Sequence, residues 1–261
     1  MGHSTMEIPV SMSMACWSLV KVRAASLITV LLALTLQATG LAQPVPFGGV
    51  AGGDAWQRGE FAVAYEAAKR VDTVAAQLLA SRAAADQAVY LESEDDGALD
   101  WLELAEEAAA RAIELDPDGA WAAAATMALA RAKGEAGLYR GALANSRLPG
   151  ELQTLFERAL ELDPENADAL IAYGAWHFAL TEIGVGWLYG GNRRSVLPQM
   201  ERGIAAAPEQ LNLRVEYART LKGLGHDEEA RQQLEIALAM TPETAAEEYE
   251  QERARELLAS Y

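Results

Sequence analysis

Apolar residues recur at helical spacing along most of this chain, and most regularly between Leu211 and Pro242. Leu211, Val215, Ala218 and Leu221 fall on one helical face, and Tyr217, Leu221 and Leu224 on the adjoining one. Together they make an apolar surface too wide to leave in water. Gly225 supplies the left-handed residue that ends a helix. Asp227 is placed to cap the next one, with Glu228 and Glu229 at its positive end. Ala230, Leu234, Ala237 and Leu238 line one side of that second helix until Pro242 stops it. The pattern predicts a helical hairpin that needs similar hairpins stacked on either side.

Degenerate copies of the hairpin precede it. RAIELDP ends at Pro117, RALELDP at Pro164, GIAAAP at Pro208 and ALAMTP at Pro242. A small/large/small spacing leads into three of them: Ala105, Ala109, Ala112; Leu152, Phe156, Ala159; and Ala230, Leu234, Ala237. Pro208 and Pro242 stand 34 residues apart, whereas the earlier gaps are longer and carry insertions. From about Gly59 to the C terminus the chain resembles the tetratricopeptide-repeat (TPR) family. That resemblance implies an all-α fold, a TPR-like α-solenoid of stacked helical hairpins. The charged run TAAEEYEQERARELLASY then reads as a polar C-terminal capping helix.

Between these units the pattern is less regular. Gly134 and Gly137 predict a break or bend after the alanine-rich run that follows Pro117. GVGWLYGGNRRS, which carries Trp187 and Tyr189, reads as a glycine-rich insertion. Residues 43–58, with PVPFGGVAGG, read as a flexible linker, and 59–261 as the repeat domain.

Ahead of the linker, Lys21 and Arg23 precede the apolar run Ala24–Leu36, followed by small residues at Gly40 and Ala42. This is the layout of an export signal over 1–42, cut after Ala42, with Met12 or Met14 as alternative starts. The apolar run is too short to span a bilayer comfortably, although an uncleaved anchor is the competing reading. Cys16 leaves with the leader, so the exported chain has no thiol chemistry and no disulfide. The expected destination is the periplasm, or secretion.

Charge narrows the range of partners. With a formal net charge of −17 and a pI near 4.6, the chain is repelled by phosphate backbones and anionic lipid. Nucleic acid is therefore not an expected partner. Signatures of nucleophilic, phosphate-binding and zinc chemistry are missing from the sequence. No cofactor or metal is expected, and the chain is read as a non-enzyme. Glu92, Glu94, Asp95, Asp96 and Asp100 do not follow the calcium-loop pattern and read as solvated, helix-capping charges. His177 reads as a packed histidine bonded to backbone, and His226 as a solvated turn residue.

What remains is the concave face of the solenoid. In TPR stacks that face is lined by the first helix of each pair, and the resemblance carries it onto three stretches. They are Trp121, Ala124, Ala128 and Arg131; Asp168, Ile171, Ala175 and Phe178; and Asn212, Val215, Arg219 and Lys222. Arg131, Arg219 and Lys222 could hold a partner's carboxylate. Trp121, Trp176 and Phe178 could instead line an apolar tunnel. Arg193 and Arg194, beside Trp187 and Tyr189, form a second candidate patch.

The expected function is a non-enzymatic periplasmic scaffold that binds a protein or peptide partner of the cell envelope on its concave face. A narrower resemblance rests on the leader, the divergent repeats, GAWHFAL and YGGNRRSVLPQMERGIAAAP. These are similar to the T component of TRAP-type solute transport systems, which implies a solute-binding protein as partner. Members of that family usually carry a lipid anchor, and this chain differs in having no cysteine after its leader.

Overall fold

The computed structural model describes residues 47–141 and 146–261. The leader and residues 43–46 of the linker lie outside the described residues. Among those described there are helices and no strand. α1 is Gly53–Gln57, α2 Phe61–Ala68, α3 Val74–Asp86, α4 Asp95–Leu115, α5 Ala122–Arg140 and α6 Leu148–Leu162. α7 is Ala167–Glu182, α8 Gly186–Tyr189, α9 Arg193–Ala206, α10 Leu211–Leu224, α11 Asp227–Ala239 and α12 Ala245–Ala259.

Consecutive helices pack as hairpins: α3 with α4, α5 with α6, α7 with α9, and α10 with α11. Each second helix ends at one of the four proline-marked repeats, so the sequence repeat and the structural repeat coincide. The first helices form an inner layer in which α3 touches α5, α7 touches α10, and α10 touches α12. α4, α6, α9 and α11 cover them from outside. This is a TPR-like α-solenoid.

Local chemistry sets the helix ends. Thr73, Asn166, Asn192 and Thr244 accept backbone N–H bonds in the first turns of α3, α7, α9 and α12. Gly225 ends α10 at φ 83°, in the left-handed region. Asp227 is not the cap expected: His226 precedes the helix, and Asp227, Glu228 and Glu229 occupy its first turn near the positive pole.

The contact between α7 and α9 is close because both present glycine. A Cβ at Gly174 would lie 2.4 Å from Met200 Cγ, and one at Gly203 would lie 2.7 Å from Ile171 Cγ1. Two expectations are corrected here. α5 runs unbroken through Gly134 and Gly137, and Gly137 makes room for Leu148 of α6, whose Cδ2 a Cβ would meet at 2.4 Å. Residues 47–58, where the sequence predicts a flexible linker, hold a turn and α1, pinned where Phe47 meets Trp56 edge to face at 5.3 Å.

α12 is the polar capping helix, and it also reaches the N-terminal end of the described residues. It touches α1, and Ala245 sits against Gly59. Tyr249 stacks on Tyr90 and meets Phe61. The solenoid therefore closes on itself, and its concave face becomes the wall of a lumen.

Candidate functional site

The inner helices carry charged side chains into this lumen. Asp86, at the end of α3, is fully buried and takes three donors: Trp56 Nε1 at 2.7 Å, Arg82 Nε at 2.9 Å and Arg131 Nη2 at 2.7 Å. Burial alone would raise its carboxyl, but Arg82 and Arg131 outweigh that and hold it below the usual range. On the opposite side, Glu250 of α12 accepts from Tyr90 Oη at 2.7 Å and pairs with Arg253 at 2.8 Å. Glu216 and Arg219 form a third pair on α10 at 2.7 Å.

Asp168 lacks such partners. Neither carboxylate oxygen of Asp168 has a hydrogen-bond partner on another residue, and burial pushes its carboxyl well above the ordinary value. Burial likewise raises Glu135 to about 7 and Glu216 to about 8, with Arg131 and Arg219 respectively opposing the shift. Arg131 Nε and Nη1 are buried without partners as well. Burying polar groups without partners costs stability.

A cavity of about 510 Å³ opens at one end of the lumen. It lies between α1, the start of α10 and the turn into α12. Its lining includes Phe47, Trp56, Arg82, Asn212 and Glu250.

The residues singled out from sequence divide accordingly. Arg131, Asp168, Asn212 and Arg219 lie on the inner layer, and Arg131 is only 4 % exposed. Arg131 and Arg219 are drawn inward by Asp86 and Glu216, so neither is presented as an open basic patch. Lys222 instead meets Ser260 and lies over the Tyr261 ring at 4.2 Å, tying down the C terminus. Trp121 precedes α5, half-buried against the N-terminal core. Trp176 and Phe178 are core residues: Trp176 Nε1 donates to the Pro149 carbonyl at 3.1 Å, and Phe178 fills the space left by Gly223. They do not line a shared apolar tunnel with Trp121. Glu135, Glu216 and Glu250 escape a reading by periodicity, although an acid inside an alanine- and glycine-rich helix, as Glu135 is, is a visible signal.

His177 stacks on Tyr173 at 4.5 Å, and its Nδ1 accepts the Asn192 N–H at 3.2 Å. Burial lowers it to about 4, so it is a neutral, packed imidazole at neutral pH. Among the described residues no group of three or more His, Cys, Asp or Glu side chains could hold a metal ion. No helix there is long and apolar enough to cross a membrane.

The insertion between α7 and α9 faces outward. Glycines at φ 77° (Gly184) and 81° (Gly190) bracket α8, which projects Trp187, 85 % exposed, and Leu188, 57 % exposed. Tyr189 Oη anchors the turn by donating to the Ser146 carbonyl at 3.0 Å. Arg193 pairs with Glu182, while Arg194 is exposed.

No family model matches the chain, and no curated protein does. Among solved structures the crystal structure of MamA is similar at 18 % identity and a TM-score of 0.40, covering 80 % of this chain and 97 % of that one.

Proposed function

We propose that this chain is a non-enzymatic helical scaffold, exported to the cell envelope, that binds a protein partner. One observation carries the reading: Trp187, 85 % exposed, stands on an anchored turn. A large aromatic side chain left in water beside exposed Leu188 and Arg194 has the composition of an interface hot spot. The partner it fits offers an apolar recess edged by carboxylates. Docking on this outer rim replaces the concave groove, because the inner-layer arginines face their own buried acids.

The export signal over 1–42 supports the envelope location. Crosslinking in intact cells, followed by mass spectrometry, tests both points. Trp187→Ser with Arg194→Glu should abolish capture of the main crosslinked protein, whereas Arg219→Gln with Lys222→Gln should leave it. The reverse result returns the partner to the concave side.

A second reading, as an accessory T component of a TRAP-type system, is favoured by the solute-sized cavity in a closed solenoid. It requires that the captured partner be a solute-binding protein.

A further inference from the structure

We propose that the seam between α12 and the N-terminal helices is a proton-operated clasp: it holds while Glu135 and Glu216 keep their protons, and it parts, leaving both halves folded, when they ionise. The proposal is independent of the protein-partner reading and goes beyond it.

The apolar packing divides at this seam. One core is built from α1 to α5 and another from α5 to α12. α5 serves both: Ala125, Ala132 and Ala136 pack in the first, Met127 and Ala130 in the second. α12 belongs to the second core through Ala254, Leu257 and Leu258, and Gln251 Nε2 ties it to the end of α11 by donating to the Ala237 and Met240 carbonyls. Toward the first half it offers Tyr249 and Glu250 to Tyr90, and Ala245 to Gly59. A stacked ring pair and a charge-assisted hydrogen bond make a thin joint beside two apolar cores, and halves joined in this way move relative to each other. α5 is then the hinge. The cavity of about 510 Å³ opens with the seam, because Phe47, Trp56 and Arg82 line it from one half and Asn212 and Glu250 from the other.

Protons control the joint because buried carboxyls crowd its inner side. Glu135 of α5, Glu216 of α10 and Glu250 of α12 are each at most 3 % exposed and lie within one another's electrostatic reach. Facing them are Arg131 and Tyr139 of α5, Arg219 of α10, Arg253 of α12 and Tyr90 after α3. Arg131 is committed to Asp86, Arg219 to Oε2 of Glu216, and Arg253 to Glu250. Oε1 of Glu135 and Oε1 of Glu216 are left buried with no hydrogen-bond partner. A neutral carboxyl tolerates this, whereas a carboxylate needs donors, which water supplies once the joint parts. Burial holds Glu135 at about 7 and Glu216 at about 8, so the charge arrives at neutral to mildly alkaline pH. Tyr90 keeps its proton there, because burial raises it well above the ordinary phenol value.

Spin labels at exposed Val63 of α2 and exposed Glu252 of α12 measure the width of the seam, introduced as Val63→Cys with Glu252→Cys in the full chain carrying Cys16→Ser. The distance between labels should lengthen from pH 5.5 to pH 9 by more than the width of the pH 5.5 distribution. It should return on reacidification, with the helical circular dichroism unchanged. Glu135→Gln with Glu216→Gln should hold the short distance at pH 9, because an amide does not ionise. The proposal is overturned if the distance is the same at both pH values, if it lengthens only with loss of helicity, or if the double variant lengthens as the parent does. Should the double variant fail to fold, each single glutamine variant should shift or abolish the lengthening, and an unshifted midpoint in both overturns the proposal as well.

Discussion

Tyr90 and Tyr249 stack face to face, with ring centroids 5.0 Å apart and planes 9° from parallel. The next residue, Glu250, accepts the Tyr90 hydroxyl across 160 residues of sequence. Phe61 packs on Tyr249 and the Arg253 guanidinium lies 4.8 Å from the Tyr90 ring centre, so residues from three separate stretches of the chain meet at this seam. An open solenoid has two free ends, whereas this one joins its ends and thereby encloses the charged inner faces.

Tyr249→Ala should release the seam without melting the hairpins. An aromatic pair contributes about 0.5–1.5 kcal/mol beyond the area it buries. Amide exchange should quicken in α2 and α12 together, and the radius of gyration should rise in solution scattering. Faster exchange confined to α12 would show that the two ends do not support each other.

Asp86 should be the most sensitive charged position in the chain. Removing its carboxylate strands Arg82, Arg131 and the Trp56 indole in a buried site. Leaving buried charge unpaired costs about 3–5 kcal/mol, so Asp86→Ala should lower denaturant stability by that order. Arg58→Ala, at an exposed pair with Glu60, should leave stability almost unchanged. Equal effects from the two would remove the Asp86 cluster as a structural centre.

The hairpins are legible in the sequence because their causes are local. The face from Leu211 to Leu224, the glycine at 225 and the prolines at 117, 164, 208 and 242 each act within a few residues. Closure is not legible, because Tyr90 meets Tyr249 only through the summed curvature of every intervening unit. The same blindness makes Arg131 look like groove surface: the TPR resemblance places it on the right helical face but does not show Asp86, 45 residues away, opposite it. Gly137 reads as a break because composition does not reveal Leu148 beside it. The proline- and glycine-rich stretch before α1 reads as loose because Phe47 and Trp56 meet only in space.

Buried groups should make opposing contributions to the pH dependence of stability. Glu135 and Glu216 are raised to about 7 and about 8, so the folded chain holds protons that the unfolded chain releases above the ordinary carboxylate value near 4.5. Their contribution therefore falls as pH climbs from about 4.5 to about 8. His177, lowered to about 4, works in the opposite sense: the unfolded chain takes up its proton below about 6.5, so stability falls from there toward pH 4. Melting curves across pH 4 to 9 should show that Glu216→Gln reduces the loss of stability with rising pH, and that His177→Phe removes an opposing gain between about pH 4 and 6.5. Each kcal/mol corresponds to about 2–4 °C for a domain of this size. A loss of stability with rising pH that is unchanged in Glu216→Gln would place the titrating group elsewhere.

Two glycine substitutions should move stability in opposite directions. At Gly174 an added methyl would meet Met200 Cγ at 2.4 Å and the Val196 carbonyl oxygen at 3.2 Å. The side chain can turn aside, but the backbone oxygen of α9 cannot, so α7 and α9 must separate. Overpacking of this kind costs about 1–3 kcal/mol, and Gly174→Ala should lower the denaturation midpoint accordingly. Gly150, in the first turn of α6, has open space where a methyl would stand, with nothing within 4 Å. There Ala only removes freedom from the unfolded chain, and Gly150→Ala should stabilise by about 0.4–1 kcal/mol. Urea unfolding of both variants, with unchanged slopes, checks the pair. A neutral Gly174→Ala would mean that the α7–α9 contact is looser than the glycine spacing implies, and with it the hairpin that sets the curvature of the lumen.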